Sequence, residues 1–351
     1  MPHPASSPAT ERTPLRIGMV YNLHSEVPAE VIDGRSADFL AEMDSPVTID
    51  AIEAGIRAAG CQPVRIGAIE NLVRFLAAGH AVDGVFNFAE GLWGTARESQ
   101  VPGLLDAWRI PYTFSDPLTL AVCMDKALTK RIWLAHDLPT APFAVAEGEV
   151  ADADAAVEAW ITQAHVFPLF VKPVREGSSK GVAAESVVHT PAELRARVRH
   201  LRRTYEQPVL IEPFLPGREF TVGVLGHGPT AAVLGVIEIA ASRDRRVNGY
   251  DMKHPSFERH ERFLPVDEPN LRTALADLGR RAYQVLGCRD AGRVDIRLNE
   301  AGVPHLLEIN PIPGLHPANS ALTQMAVWAG FSYGALIEKI LYHAQQRWFP
   351  R

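Results

Sequence analysis

The sequence predicts an α/β fold that passes into an α+β one. Three observations carry this. Short β-rich runs alternate with helical patterns at the start. Pro- and Gly-bounded strands and amphipathic helices fill the middle. Two apolar runs flank a tight connection near the end. The 351 residues are 47% hydrophobic and 22% charged, which is ordinary globular composition. That length allows roughly two or three domains, and so a cleft between them.

The start, "MPHPASSPATERTP", is rich in Pro, Ser and Thr and reads as a disordered tail over residues 1–14. It has neither the basic start nor the apolar core of a secretion signal. Ordered sequence begins at "LRIGMVYNL", a strand. In "SPVTIDAIEAGIRAAG", Ser45 is placed to cap a helix, Pro46 suits its first position and Gly60 ends it. "CQPVRIGAI" and "VDGVFNFA" read as further strands, with a helix from about Asn71 between them, so the first sheet should be parallel. A helix around "CMDKALTKRIWLA" opens a second region. It continues with a strand, the Ala-rich helix "ADADAAVEAWITQA", and a strand–loop–strand unit in "FPLFVKPVREGSSKGVAAES". The helix "TPAELRARVRHLRRTYEQ" and two strands in "PVLIEPFLPGREFTVGVLG" follow. The tail from "NSALTQ" onward is helical, and no internal repeat is present.

Charge and cysteine content exclude several classes. The net charge is −6, and no Lys/Arg run is long enough to track phosphates, so nucleic acid is not expected as a partner. No apolar run approaches the roughly 18 residues of a membrane span. Cys61, Cys123 and Cys288 are scattered and odd in number, which fits a reduced, cytoplasmic protein.

Three stretches carry chemistry. In "FVKPVREGSSKGV", Lys172 ends an apolar strand, and Gly177, Ser178, Ser179 and Gly181 lie beyond it. Glycines allow close backbone approach, hydroxyls and N–H groups bind oxyanions, and lysine adds a point charge. The alternative is a plain Gly-Ser turn; the run is not a P-loop. In "VLIEPFLPGREF", Glu212 and Glu219 read either as water-facing strand charges or as part of a nucleotide hinge. The third stretch is "GRVDIRL" and "VPHLLEIN" around "NEAG", a hairpin. With a loop of even length, Arg293 and Asp295 share a face with Glu308 and Asn310. Two carboxylates and an amide oxygen suit a hard cation, with magnesium natural beside phosphates. The alternative is a surface ion network of Arg293, Asp295 and Glu308.

Taken in order, six blocks resemble the ATP-grasp superfamily, and within it the D-alanine–D-alanine ligase family. They are "IPYTFSDPLTLAVCMDKALTK", "LFVKPVREGSSKGV", "IEPFLPGREFTVGVL", "YDMKH", "GRVDIRL" and "LLEINPIPGLHP". The resemblance spans about Leu15 to Leu341. It implies an ATP-grasp fold with an N-terminal parallel-sheet substrate domain over 15–120, a small ATP-grasp subdomain over 121–205 and a large one with the metal site over 206–345.

The resemblance also implies roles. Lys126 and Lys172 contact ATP phosphates, and Ser178 and Ser179 lie in the loop that closes over them. Glu212, Phe214, Leu215 and Glu219 form the adenine and ribose site. Lys253 reaches the γ-phosphate from a second closing loop. Asp295, Glu308 and Asn310 hold Mg2+, two ions by analogy, with Mn2+ an acceptable replacement. Arg293 and the Gly314 N–H stabilise a tetrahedral intermediate, and Glu42 meets the first substrate's amino group. The partners implied are amino acids, in a chain that forms a homodimer.

Departures fall in the amino-acid pockets. The family's "HG…GED" run is here "FAEGLWGTARESQ", with Glu90 in place of His and Arg97–Glu98 in place of the acidic pair. Lys253–His254 replaces Lys-Tyr. Asn319 and Ser320 match the carboxylate-binding Ser loosely. A zinc role for His254 and His260 finds no partner ligands. The expected reaction is ATP-dependent joining of a carboxylate and an amine. The alternatives are an ATP-grasp kinase that releases a phosphorylated small molecule, a non-catalytic nucleotide-binding module, and a ligase with a non-D-alanine partner.

Overall fold

The computed structural model describes residues 13–148, 150–162, 167–240 and 262–349. The candidates Lys253, His254 and His260 lie outside the described residues.

The first sheet is parallel, as expected. Its strands β1 (Arg16–Val20), β2 (Gln62–Gly67) and β3 (Gly84–Asn87) lie in the order β2-β1-β3. The connecting elements are α1 (Ala29–Ile32), α2 (Pro46–Ala58) and α3 (Ile69–Ala77). Helix α2 starts where the sequence places it. Ser45 Oγ accepts from Thr48 N at 3.4 Å, Pro46 fills the first turn, and Gly60 leaves the helix at φ +76°. Ile49, Ile52 and Ile56 recur every three or four residues, so one face of α2 is wholly buried on β1. Each such side chain contributes about 1.5–3 kcal/mol.

Helices α4 (Gln100–Trp108), α5 (Pro117–Met124) and α6 (Lys126–Ala135) lead to the second sheet. That sheet is antiparallel, with β4 (Ala144–Ala146), β5 (Leu169–Pro173), β6 (Val187–Val188) and β7 (Val209–Pro213) in the order β4-β7-β5-β6. Helices α7 (Val150–Thr162) and α8 (Pro191–Tyr205) accompany it. The strand expected after the Gly-Ser loop is reduced to β6. Residues 178–186 take a turn and a 3-10 helix instead, because Ser178, Ser179 and Gly181 all have positive φ. Strand β7 belongs to this sheet, so passage to the third sheet comes after Pro213, later than the boundary expected at 205/206.

The third sheet is antiparallel. It contains β8 (Glu219–Leu225), β9 (Ala232–Ala240), β10 (Arg262–Pro265), β11 (Ala291–Leu298) and β12 (Pro304–Asn310), in the order β10-β9-β8-β11-β12. Helix α9 (Pro269–Val285) covers it through Leu275, Leu278 and Ala282. The helical tail divides at Gly330 (φ +83°) into α10 (Ala321–Trp328) and α11 (Tyr333–Trp348). Helix α11 returns to the first sheet, where Leu336, Ile337 and Ile340 pack with Ile17 and Ile56.

Gly279 marks the closest approach of α9 to the third sheet. A Cβ added there would lie 2.7–2.9 Å from the side-chain atoms of Val222, which is wholly buried on β8. Gly279→Ala should gain about 1 kcal/mol of helix propensity. It should lose more to overpacking, which costs about 1–3 kcal/mol against a stiff β-branched neighbour. The expected outcome is a lower melting temperature, partly restored in Gly279→Ala/Val222→Ala. A single variant that melts higher than the parent would contradict the close packing.

Candidate active site

The second and third sheets face each other across a cleft lined by Lys126, Lys172, Glu212, Glu219, Asp295 and Glu308. Lysines enter from one side. Asp125 caps α6 by accepting from Leu128 N at 2.9 Å and also takes Arg175 Nε at 2.8 Å, so Lys126 sits in the first helical turn beside the Gly-Ser loop. Its ammonium donates to Glu176 O and lies 3.6 Å from Glu308. Lys172, at the end of β5, lies 3.3 Å from Glu212 and 3.9 Å from Glu308.

Lys130 completes the group and is not singled out by the sequence reading. It is wholly buried, 2.8 Å from Glu212, and donates to Thr140 Oγ1 at 2.5 Å. Its spacing from Lys126, one helical turn, puts both on one face of α6 and was the available signal. Burial raises the Glu212 carboxyl, but Lys130 and Lys172 outweigh it and hold the group below its usual range. Lys172 is stabilised as the cation by Glu212 and Glu308 against the opposing effect of burial. Glu212 therefore anchors two lysines, and any nucleotide hinge here must use neighbouring backbone. Phe214 packs tilted beside Phe170, ring centres 6.4 Å apart, and has the Arg297 guanidinium 5.1 Å from its ring centre. Arg297 also donates to Glu219 at 3.1 Å.

Acids enter from the other side, on the β11–β12 hairpin. Arg293 pairs with Asn310 and Asp295 with Glu308 directly across the ladder, so all four share the cleft face. Asp295 accepts from Arg293 Nη2 at 2.9 Å and from Asn310 Nδ2 at 3.0 Å, and Arg293 Nε donates to Thr221 Oγ1 at 3.0 Å. The amide nitrogen of Asn310 is thus turned to Asp295, which aims its oxygen elsewhere. Strict alternation would also put Leu306 on this face. A bulge after the Asp295–Glu308 pair rephases the strand, so Leu306 is buried in the core while Leu307 and Glu308 line the cleft. Among the described residues no group of three or more His, Cys, Asp and Glu could hold a metal. The donor set is two carboxylates and one amide, all oxygen ligands, and this fits magnesium rather than zinc.

The Gly-Ser loop is tied to the first domain. Glu42 accepts four hydrogen bonds: Arg97 Nη2 at 2.9 and 3.0 Å, Gly177 N at 2.8 Å and Lys180 Nζ at 2.7 Å. Gly177 is required there, since a Cβ would lie 2.5 Å from Glu42 Oε1. Asp38 accepts from Gly181 N at 2.7 Å and Tyr205 Oη at 2.6 Å. Arg97 also donates to Arg175 O at 3.0 Å and to Glu176 at 3.3 Å. Burial opposes ionisation of Glu42, yet Arg97, Lys180 and the Gly177 N–H hold its carboxyl at about 2. The role expected for Glu42, receiving a substrate ammonium, does not fit this geometry. Its roughly four lone-pair positions are filled. Ser178 and Ser179 lie beyond this clamp at φ 47° and 61° and face the cleft. The segment around Lys253, expected to close over the nucleotide, lies outside the described residues.

A larger cavity continues from the cleft. One wall carries Arg293, Gly314, Asn319 and Ser320. Ser320 Oγ accepts from His316 N at 2.9 Å and precedes α10, so that helix presents its N-terminus here. Asp44, Glu90 and Glu98 also line the cavity. Burial, then repulsion from Glu98, Glu42 and Asp44, pushes Glu90 well above the carboxylate range. Burial lifts Glu98 and Asp44 to about 7.

Lysines on a small antiparallel sheet that face carboxylates on a larger one, behind an N-terminal parallel sheet, define an ATP-grasp protein. The D-alanine–D-alanine ligase of Bacillus anthracis in complex with ATP has this fold. It aligns with 95% of this chain and 98% of its own at a TM-score of 0.68 and 21% identity. The family model for the D-ala D-ala ligase C-terminus matches residues 132–342. D-alanine–D-alanine ligase of Bordetella petrii is 37% identical over 276 residues, covering 78% of each chain. That of Cupriavidus taiwanensis is 32% identical over 331 residues, covering 91% of this chain and 94% of its own. The chain belongs to the D-alanine–D-alanine ligase family.

Two stability tests follow from the carboxylates. Glu42→Gln leaves Arg97 and Lys180 without their main counter-charge and should destabilise the protein by about 3–5 kcal/mol. The Glu42 carboxyl is depressed to about 2 from 4.5. Its contribution is therefore complete above pH 4.5 and lost as pH falls through 2. Melting curves of the two proteins should stay separated above pH 4.5 and converge in acid; a constant gap would contradict the ion clamp. Glu98 has the opposite sign. Raised to about 7, it costs nothing below pH 4.5 and its full amount above 7. Glu98→Gln should melt higher than the parent at pH 8 and alike at pH 4. Equal melting at both would show that Glu98 is not strained by its burial.

Proposed function

We propose that the protein is an ATP-dependent ligase that joins the carboxylate of one amino acid to the amine of another through an acylphosphate. One observation carries the reading: Lys126 and Lys172 converge on Glu308 in a cleft that opens, past Arg293 and Asp295, into the large polar cavity. Family membership supports it.

ATP would lie between the second and third sheets. Its adenine would meet the apolar walls at Phe170, Leu215 and Leu307. Phe214 N is already donated to Pro168 O at 3.0 Å, so the purine-edge donor falls to the next amide, Leu215. Glu219, steadied by Arg297, would accept from the ribose hydroxyls. Lys126, Lys172 and the amides around Ser178 and Ser179 would bear the phosphates. Asp295, Glu308 and the Asn310 amide oxygen would hold Mg2+, which supplies charge neutralisation during phosphoryl transfer. In that state Lys126 and Lys172 exchange Glu308 for phosphate oxygens.

The first substrate's carboxylate attacks the γ-phosphorus and ADP leaves. The second substrate's amine attacks the acyl carbon, inorganic phosphate leaves and the amine gives up a proton. Arg293 and the Gly314 N–H would face the oxyanion. The N-terminus of α10, with Asn319 and Ser320, would receive the second substrate's carboxylate. The clamp on the Gly-Ser loop limits water that would otherwise hydrolyse the acylphosphate. Lys253 would reach the γ-phosphate, as the family resemblance implies, and His254 would stand where the family has Tyr. The three cysteines are free, no helix among the described residues is long and apolar enough to cross a membrane, and a cytoplasmic homodimer belongs to the same proposal.

The test is phosphate release from ATP with D- and L-amino acids, singly and in pairs, with products identified by mass spectrometry. A dipeptide formed with stoichiometric phosphate is expected. A stable phosphorylated amino acid with no amide would replace the ligase by a kinase. Asp295→Asn and Glu308→Gln should each lower turnover by about two or more orders of magnitude and shift the magnesium requirement upward. Wild-type turnover and magnesium dependence in both would remove the metal assignment.

A further inference from the structure

Lys130 is wholly buried and does not line the nucleotide cleft, yet it stands one residue behind a lysine that does. Its ammonium meets Glu212 at 2.8 Å, Thr140 Oγ1 at 2.5 Å and the Phe143 ring, whose centre is 5.7 Å away. Thr140 Oγ1 in turn donates to Leu306 O at 2.8 Å, and Leu306 N donates to Pro139 O at 2.9 Å. Helix α6 is thereby tied to β12 two residues before Glu308. A buried ammonium is a costly way to make such a tie. A methionine of similar length would fill the same space without charge.

The balance of charge gives Lys130 a use. Glu212 serves two lysines, Lys130 on one side and Lys172 at 3.3 Å on the other. Two cations against one carboxylate leave one net positive charge, and Lys172 is the cation of this pair that lines the cleft. Glu308, 3.9 Å from Lys172, meets that surplus here. If Lys130 were neutral, Glu212 and Lys172 would form a closed neutral pair. A lysine matched one to one by a buried carboxylate attracts an approaching anion far less than one whose partner is shared.

Resting on the ATP-dependent reading above, we propose that Lys130 is a positioning residue for nucleotide binding: it occupies one side of Glu212, so that Lys172 keeps its charge for the triphosphate. Lys130 touches neither nucleotide nor substrate and acts through Glu212. The link through Thr140 to Leu306 O fixes its ammonium, so Glu212 cannot turn wholly towards Lys172. Removing Lys130 and removing Glu212 therefore act in opposite directions on the same lysine, which separates this role from packing.

The experiment uses the full chain with Mg2+ and two probes, the β,γ-imido analogue of ATP and adenosine, which has no phosphates. Calorimetry gives both affinities. Lys130→Met should weaken the analogue about tenfold or more and leave adenosine within about twofold. Lys130→Met/Glu212→Gln also removes the carboxylate that captures Lys172. It should return the ratio of the two affinities to within about threefold of the parent. A lysine that only supports the fold would weaken both probes together, and the double variant would be weaker still. In turnover, Lys130→Met should raise the KM for ATP about tenfold and leave the KM for amino acids within about twofold. Circular dichroism checks folding. Lys130→Gln, which can still donate to Glu212 without charge, replaces Lys130→Met if that variant does not fold, with the same weakening expected. Unchanged analogue affinity in the single variant, or no recovery in the double, overturns the role of Lys130 and leaves the ligase reading intact. The expected binding pattern without phosphate release from any amino acid removes the ligase reading and keeps the role of Lys130. A parent that does not bind the analogue removes both.

Discussion

The architecture of the cleft rests on one buried carboxylate. Glu212, on β7, is nearly inaccessible and stands between Lys130, wholly buried, and Lys172. Without it, two ammonium groups would lie in a low-dielectric interior with no counter-charge, a situation that costs several kcal/mol per ion. With it, Lys172 is held at the end of β5, where it reaches Glu308 on the opposite sheet. The lysine is thus positioned from behind by a permanent partner and faces an exchangeable one. That asymmetry lets phosphate oxygens displace a carboxylate without disturbing the sheet that carries the lysine.

A second constraint acts on the Gly-Ser loop. It receives Asp38 and Glu42 from the first domain, and Arg97 joins the same cluster. The loop that faces ATP in the proposed mechanism is therefore shaped by residues 78 to 143 positions away in sequence. Ser178 and Ser179 hold left-handed backbone conformations that serine rarely adopts. Four hydrogen bonds to Glu42 and two to Asp38 over-determine that backbone or its immediate frame.

Much of this was legible in the sequence, for identifiable reasons. The cap at Ser45, the parallel first sheet and the β11–β12 hairpin obey local rules of capping, alternation and period two. Asp295, Glu308, Lys126 and Lys172 meet because each sits at the end of, or across, a well-signalled strand or helix. What was not legible depends on contacts between distant segments. The bulge that turns Leu306 inward has no local signature. The enrolment of Glu42 by Arg97 and Lys180, the burial of Lys130 and the placement of β7 in the second sheet depend on which segments meet. The acids at Glu90 and Glu98 were visible as departures from a family pattern, but only the cavity shows that they face one another's charge.

The return of α11 to the first sheet has a consequence for how the chain is made. Ile17, Ile49 and Ile56 share their core with Leu336, Ile337 and Ile340, and Trp348 donates to Tyr112 O at 2.9 Å beside β3. Translation delivers β1, β2 and β3 long before it delivers their cover. Domains commonly fold in order of synthesis, but here the earliest strands must wait on the ribosome with an apolar face open until the last helix emerges. The core that the first sheet shares with α2 is therefore completed only once α11 has been made.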